Sequence, residues 1–275
     1  MYKLLNFEFR RLFLRVSLYI CLGVIAVPVL SMFYITGSDY FSKDYNYQIT
    51  LFGVLQNMIR VANLTTLSVV FTSIFGCEDK ARGTIKTIYS LGFPRFKLFL
   101  SKFLASATAT TIMYFLIVIS GVVCGLLFSK EGQSSMLDII GEAQEEPNII
   151  LFIIQQFFVI MGAHAFYYMI SELIGKTGLA IVLSIFGPGL VSSFFGIITA
   201  IISSVAYKNE KLVETVSQMY FTFLQYWLPT TFSSFSDMLT GGSGVVLWIS
   251  ILVNTGYILL FGGLAMLITY KKQIK

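Results

Sequence analysis

Few side chains in this sequence are able to do chemistry, and most of those lie inside long apolar runs. Arg60 stands in the run 51–76 with Asn57 and Asn63 three residues to either side, a spacing that puts all three on one side of a helix. A charge deep in hydrocarbon is costly and is tolerated where it faces protein or water. The trio therefore reads either as part of a polar substrate pathway or, if the run begins later, as a snorkelling arginine. Gln155, Gln156 and His164 in the run 149–174, and Asn254 in the last run, are candidates for lining the same cavity. His164, next to Gly162 and Ala163, fits a helix-packing hydrogen bonder better than a proton relay. Glu172 stands one turn before Lys176 and reads as its ion partner.

One histidine and so few intramembrane acids assemble no acid/base, nucleophilic or metal constellation. No catalytic residue is assigned, and the chain does not read as an enzyme. Gly175-Lys176-Thr177 has the ending of a phosphate-binding loop, but Ile170 occupies the position that motif reserves for its first glycine. It reads instead as a turn between two spans. Cys21, Cys77 and Cys124 lack metal or redox spacing and read as packing residues.

The elements that must hold these residues are membrane helices. Of 275 residues 56% are apolar and 12% charged, about half the charge of an average soluble domain. Apolar runs at about 16–35, 51–76, 98–128, 149–174, 179–206 and 245–270 are each long enough to cross a hydrocarbon core about 30 Å thick. They lack period-two alternation, which excludes a barrel and leaves an all-α membrane protein of six spans. The first run follows a basic flank, as a signal peptide would, but has no small-x-small cleavage site before Asp39 and is expected to stay as a span.

Charge orients these spans. With the N-terminus inside, fourteen of the nineteen lysines and arginines fall in inner segments and four in outer ones, while ten of the fourteen acids fall outside. That bias places both termini in the cytoplasm. The net charge of +5 divides into about +10 inside, −6 outside and Arg60 within the membrane, so it reports sidedness rather than a nucleic-acid partner.

Four stretches do not span. Over 1–15, Tyr2, Leu5, Phe9, Leu12, Phe13 and Val16 recur at helical spacing among Lys3, Arg10, Arg11 and Arg15, as in an elbow helix lying among inner-leaflet headgroups. Leu4 and Phe7 stand on its basic side, and a flank that merely orients the first span is the alternative. The stretch 77–97 carries Ile85, Ile88 and Leu91 at helical spacing before Gly92 and Pro94 stop the helix. A short helix held between two spans is suited to receive force from a soluble partner, although basic inner loops are also common for topological reasons alone. The stretch 207–244 supplies an aromatic face, including Tyr220, Phe223 and Trp227, that Pro229 interrupts. It reads as two short helices dipping into the outer leaflet, or as a surface helix without a gating role. The stretch 129–148 is an acidic loop. Within the fifth run, Gly187-Pro188-Gly189 marks a kink or hinge, and Ser184, Ser192, Ser193 and Gly196 permit close helix packing.

The inner stretch resembles a known pattern. Glu78-Asp79, then Gly83-Thr84-Ile85, then Leu91-Gly92-Phe93-Pro94-Arg95, then Lys102 in the next span are similar to the acid, Gly-Thr-Leu/Ile, Pro-x-Ser-Arg and Lys series of ABC-2 type transporter permeases. Here Arg95 follows Pro94 directly and Phe96 replaces a small or polar residue. The likeness extends to the basic elbow, the six spans and the long outer segment. It implies a membrane subunit of an ATP-driven exporter, paired with a second permease, a homodimer or a paralogue, and with separate subunits that bind ATP and magnesium; this chain itself would bind no cofactor.

On that resemblance the stretch 77–97 holds a coupling helix. Glu78, Asp79, Lys80, Arg82 and Lys86 would make polar contacts with the ATPase, Gly83 would allow close approach, Ile85 and Ile88 would supply an apolar face, and Thr84 belongs to the same docking segment. The stretch 207–244 would be a re-entrant outer gate. The expected cargo is an amphipathic or hydrophobic peptide, such as a toxin or bacteriocin-like peptide leaving a bacterial cell, as in phenol-soluble-modulin exporters. Lipid, polysaccharide and drug exporters share the fold, and an intramembrane peptide-immunity or sensor protein is the reading from another class. No selectivity ring or carbonyl filter suggests a channel.

Overall fold

A computed structural model describes residues 2–41, 54–55, 58, 71–77, 94–128, 149–205, 215, 218–219 and 244–271. They form helices α1 (Tyr2–Phe13), α2 (Val16–Phe41), α3 (Arg95–Phe128), α4 (Ile149–Ile174), α5 (Thr177–Val205) and α6 (Gly244–Lys271). The stretch 71–77 is also helical, and no strand occurs among the described residues. Among the described residues four helices are long and apolar enough to cross a membrane: α2 over Val16–Gly37, α3, α4, and α6 over Trp248–Lys271. This is the make-up of a multi-pass helical membrane protein. Most of the expected second span lies outside the described residues, as do the rest of the inner stretch, the acidic loop and nearly all of 207–244.

Helix boundaries follow simple local chemistry. α3 starts at Arg95, so Arg95, Phe96 and Lys97 form its first turn instead of closing the loop before it, and Leu98 N–H donates to Pro94 O at 3.2 Å. Pro94 suits that place because a helix start has no use for its missing N–H. Within α3 the hydroxyls of Thr108, Thr110, Thr111 and Ser120 lie over carbonyls one turn back, which keeps polar groups paired where no water competes. α4 ends at Gly175, whose φ of 71° and N–H bond to Ser171 O at 3.0 Å make a left-handed helix stop. The Gly-Lys-Thr stretch is thus a turn between two helices. α5 continues unbroken through 187–189.

Side-chain contacts fix the relative direction of the helices. Ser106 meets His164 and Tyr114 bonds Ile153 O, so α3 and α4 run antiparallel. Gln155 meets Ser250 and Glu172 meets Thr269, so α4 and α6 run parallel and form the most extensive interface. Its residues include Ala163 and Ala265, whose small size lets backbones approach. α2 packs along α3, with Phe33 edge-on to Phe128 at 6.4 Å. All three cysteines are buried and free, in keeping with a packing role.

One end of this bundle gathers the cations. There Arg15 lies over the Phe75 ring at 4.6 Å, Cys77 Sγ donates to Ser171 O at 3.3 Å, and Arg95 Nη1 donates to Tyr270 O at 3.0 Å. The start of α2, the end of 71–77, the start of α3 and the ends of α4 and α6 therefore coincide. Every described lysine and arginine belongs to α1 or lies within about two turns of this end. α1 packs against α3 with Glu8 and Leu12 fully buried. Phe13 and Val16, expected on the same apolar face as Leu12, are instead exposed, because the face that packs on α3 is centred on Glu8 and Leu12.

Candidate functional site: a polar seam along α4

The polar side chains singled out in α4 lie on different sides of it. Nine residues separate Gln155 from His164, which at 100° per residue puts them on opposite faces. Gln155 Nε2 donates to Ser250 Oγ on α6 at 3.0 Å, and Gln156 Nε2 donates to Gln155 Oε1 at 2.9 Å. Asn254 joins the group by donating to Ser250 O at 2.8 Å. All four residues are buried.

His164 faces α3 and the stretch 71–77 and is wholly buried. Its Nε2 lies 3.2 Å from Ser106 Oγ, and its Nδ1 lies 3.2 Å from both Thr72 Oγ1 and Thr110 Oγ1. Each ring nitrogen thus has a hydroxyl within hydrogen-bonding reach, and in a neutral imidazole one nitrogen donates while the other accepts. Ser106 Oγ and Thr110 Oγ1 also lie within reach of carbonyls one turn back, Phe103 O at 3.0 Å and Ser106 O at 3.3 Å. Phe103 and Tyr168 flank the ring, with centroids at 5.5 and 6.1 Å.

Towards the basic end the seam continues through Glu172, whose Oε2 lies 3.0 Å from Thr269 Oγ1 on α6. Glu172 and Lys102 are both buried, whereas Lys176 is exposed. On the other side of α4, Gly76 sits where an added Cβ would run into Ser171 Oγ. The absent side chain is what allows 71–77 to lie this close to α4.

No family model and no curated protein matches this chain. Chemically, the seam links four helical elements by side-chain hydrogen bonds. The ring of His164 has partners on both nitrogens, and Gln156 is closed against Gln155. Both residues are buried. Ser106, Thr110, Thr72 and Ser250 were not singled out from the sequence; the one visible signal was that Ser106 and Thr110 stand one helical turn apart.

The other expected site residues are outside the described residues. They are Arg60, Asn57 and Asn63 of the polar pathway, Glu78, Asp79, Lys80, Arg82, Gly83, Thr84, Ile85, Lys86 and Ile88 of the inner stretch, and Tyr220, Phe223, Trp227 and Pro229 of the outer segment.

Proposed function

We propose that this chain is the membrane subunit of an ATP-driven exporter, with six spans, both termini cytoplasmic and a separate ATP-binding partner. One observation carries the reading. The residues that bracket the inner stretch, Cys77 and Arg95, both lie at the end of the bundle that gathers the cations, and the ABC-2-like series starts between them at Glu78 and runs on to Lys102. Basic ends stay on the cytoplasmic side, where an ATPase would reach a helix centred on Ile85 and Ile88.

In this mechanism the partner holds ATP and magnesium and closes on binding them. The inner stretch transmits that motion along two routes, through 71–77 to α4 and through α3. Both routes meet at His164, because Thr72 and Ser106 bond the same ring. The seam would thus make α3, 71–77 and α4 move as a unit, while cargo passes between two permeases along a wall that includes Arg60. An amphipathic peptide is the cargo that suits walls rich in aromatic residues and poor in charge.

The test is copurification. Ile85→Asp with Ile88→Asp should abolish recovery of the ATP-binding subunit and its stimulated ATP hydrolysis, because two carboxylates would be buried without partners. Undiminished recovery and stimulation would refute the coupling role.

A further inference from the structure

A cleft of about 800 Å³ opens at the corner where α1 turns into α2. Arg10, Arg11 and Arg15 line it, and no carboxylate does so among the described residues. The nearest described acid is Glu8, buried beneath α1 with Oε2 3.8 Å from Arg11 Nη1. Ser17 also borders the cleft. It belongs to the first turn of α2, whose dipole adds positive potential, with the Leu18 N–H already bonded to Arg15 O at 3.2 Å. The site is therefore built for an anion.

It is not built for a purely soluble one. Phe7, Leu14 and Val16 line the same cleft and are 57%, 74% and 71% exposed. On α1 Phe7 shares the outward face with Arg10, because the Glu8 and Leu12 face is taken up by α3, while Leu14 lies in the turn and Val16 opens α2. Such a mixture of cations and exposed hydrocarbon matches an amphiphile. The corner also stands at the mouth of α2, a helix able to cross the membrane, so its surroundings are the headgroups of one leaflet.

We infer that this cleft binds the phosphate headgroup of a single anionic phospholipid, with the guanidiniums on the phosphate and the acyl chain laid along Phe7, Leu14 and Val16. Arginine suits this role because its planar fork meets phosphate oxygens two at a time. The volume falls within the usual range of small-ligand pockets. Ile74 is part of the wall, and Arg15 already rests on Phe75. The occupied cleft would therefore fasten α1 to the stretch 71–77. The inference requires only that α2 crosses a membrane and is independent of any transport activity.

Native mass spectrometry of the full chain in mild detergent, titrated with phosphatidylglycerol or phosphatidylcholine, provides the test. One phosphatidylglycerol should be retained per chain, about tenfold more tightly than phosphatidylcholine. Arg10→Gln should weaken it about fivefold. Lys271→Gln, at the same end of the bundle but outside the cleft, should leave it unchanged. Arg10 is exposed, so its substitution should not disturb folding, and an unaltered melting temperature in phosphatidylcholine verifies this. Should Arg10→Gln misfold, Phe7→Gln carries the test by weakening lipid retention without removing charge.

Millimolar glycerol phosphate should fail to displace the lipid. Equal retention of the two lipids, or equal weakening by Arg10→Gln and Lys271→Gln, would overturn the proposal by pointing to diffuse attraction. Displacement by glycerol phosphate would overturn it in favour of a free-anion site.

Discussion

His164 shows how a single polar residue is accommodated in a membrane bundle. Interhelical hydrogen bonds between membrane helices contribute about 0.6 kcal/mol each on average, whereas emptying the volume of a buried ring costs about 3 kcal/mol. Volume should dominate. His164→Ala is expected to destabilise the protein by about 3 kcal/mol in detergent unfolding. His164→Phe should cost about 1 kcal/mol, because Ser106 and Thr110 can fall back on Phe103 O and Ser106 O. Equal damage from both variants would mean that the hydrogen bonds outweigh the packing. The histidine was conspicuous in the sequence as the only one, and its packing role was the favoured reading. Its partners were not conspicuous, since Ser106 and Thr110 belong to a Ser/Thr-rich stretch of α3 that any membrane helix could carry, and Thr72 comes from another element altogether.

Among the elements, the closest fit is between 71–77 and α4. Gly76→Ala should destabilise the protein by about 1–3 kcal/mol through overpacking against Ser171. Adding Ser171→Ala should recover part of the loss, and a thermal-unfolding double-mutant cycle would reveal the coupling. Additive losses would contradict the contact. Gly175→Ala, which forces an L-residue to a φ of 71°, should cost about 1 kcal/mol by the same measurement. Helix ends follow the change in hydropathy closely in two cases, α4 covering 149–174 and α6 extending 245–270 by one residue at each end, whereas α2 runs on to Phe41, beyond the expected 35. The packing face of α1 was not legible. Hydropathy assigned Leu12, Phe13 and Val16 to one side, but the bundle buries Glu8 with Leu12, a choice that depends on α3 and not on local sequence.

At the scale of the molecule, large apolar side chains are exposed along α2, α3, α5 and α6, among them Leu30, Leu126, Phe186, Leu252 and Leu259. In water, patches of this extent would drive association, whereas against lipid tails they cost nothing. The single basic end gives the bundle its polarity, and accessibility labelling of introduced cysteines can check it. Lys176→Cys and Lys271→Cys should react only after the membrane is opened, and Lys130→Cys should react in intact cells. Reaction of all three in intact cells would reverse or break the assigned topology.

Export by this chain requires the inner stretch to be the docking point of an ATPase. Its most direct test compares the wild-type chain with Ile85→Asp/Ile88→Asp, measuring the ATP-binding subunit and ATP hydrolysis recovered with each from membranes. The account predicts both with the wild type and neither with the variant, while the variant itself remains folded and membrane-inserted. Equal recovery of subunit and activity with the two chains would contradict it.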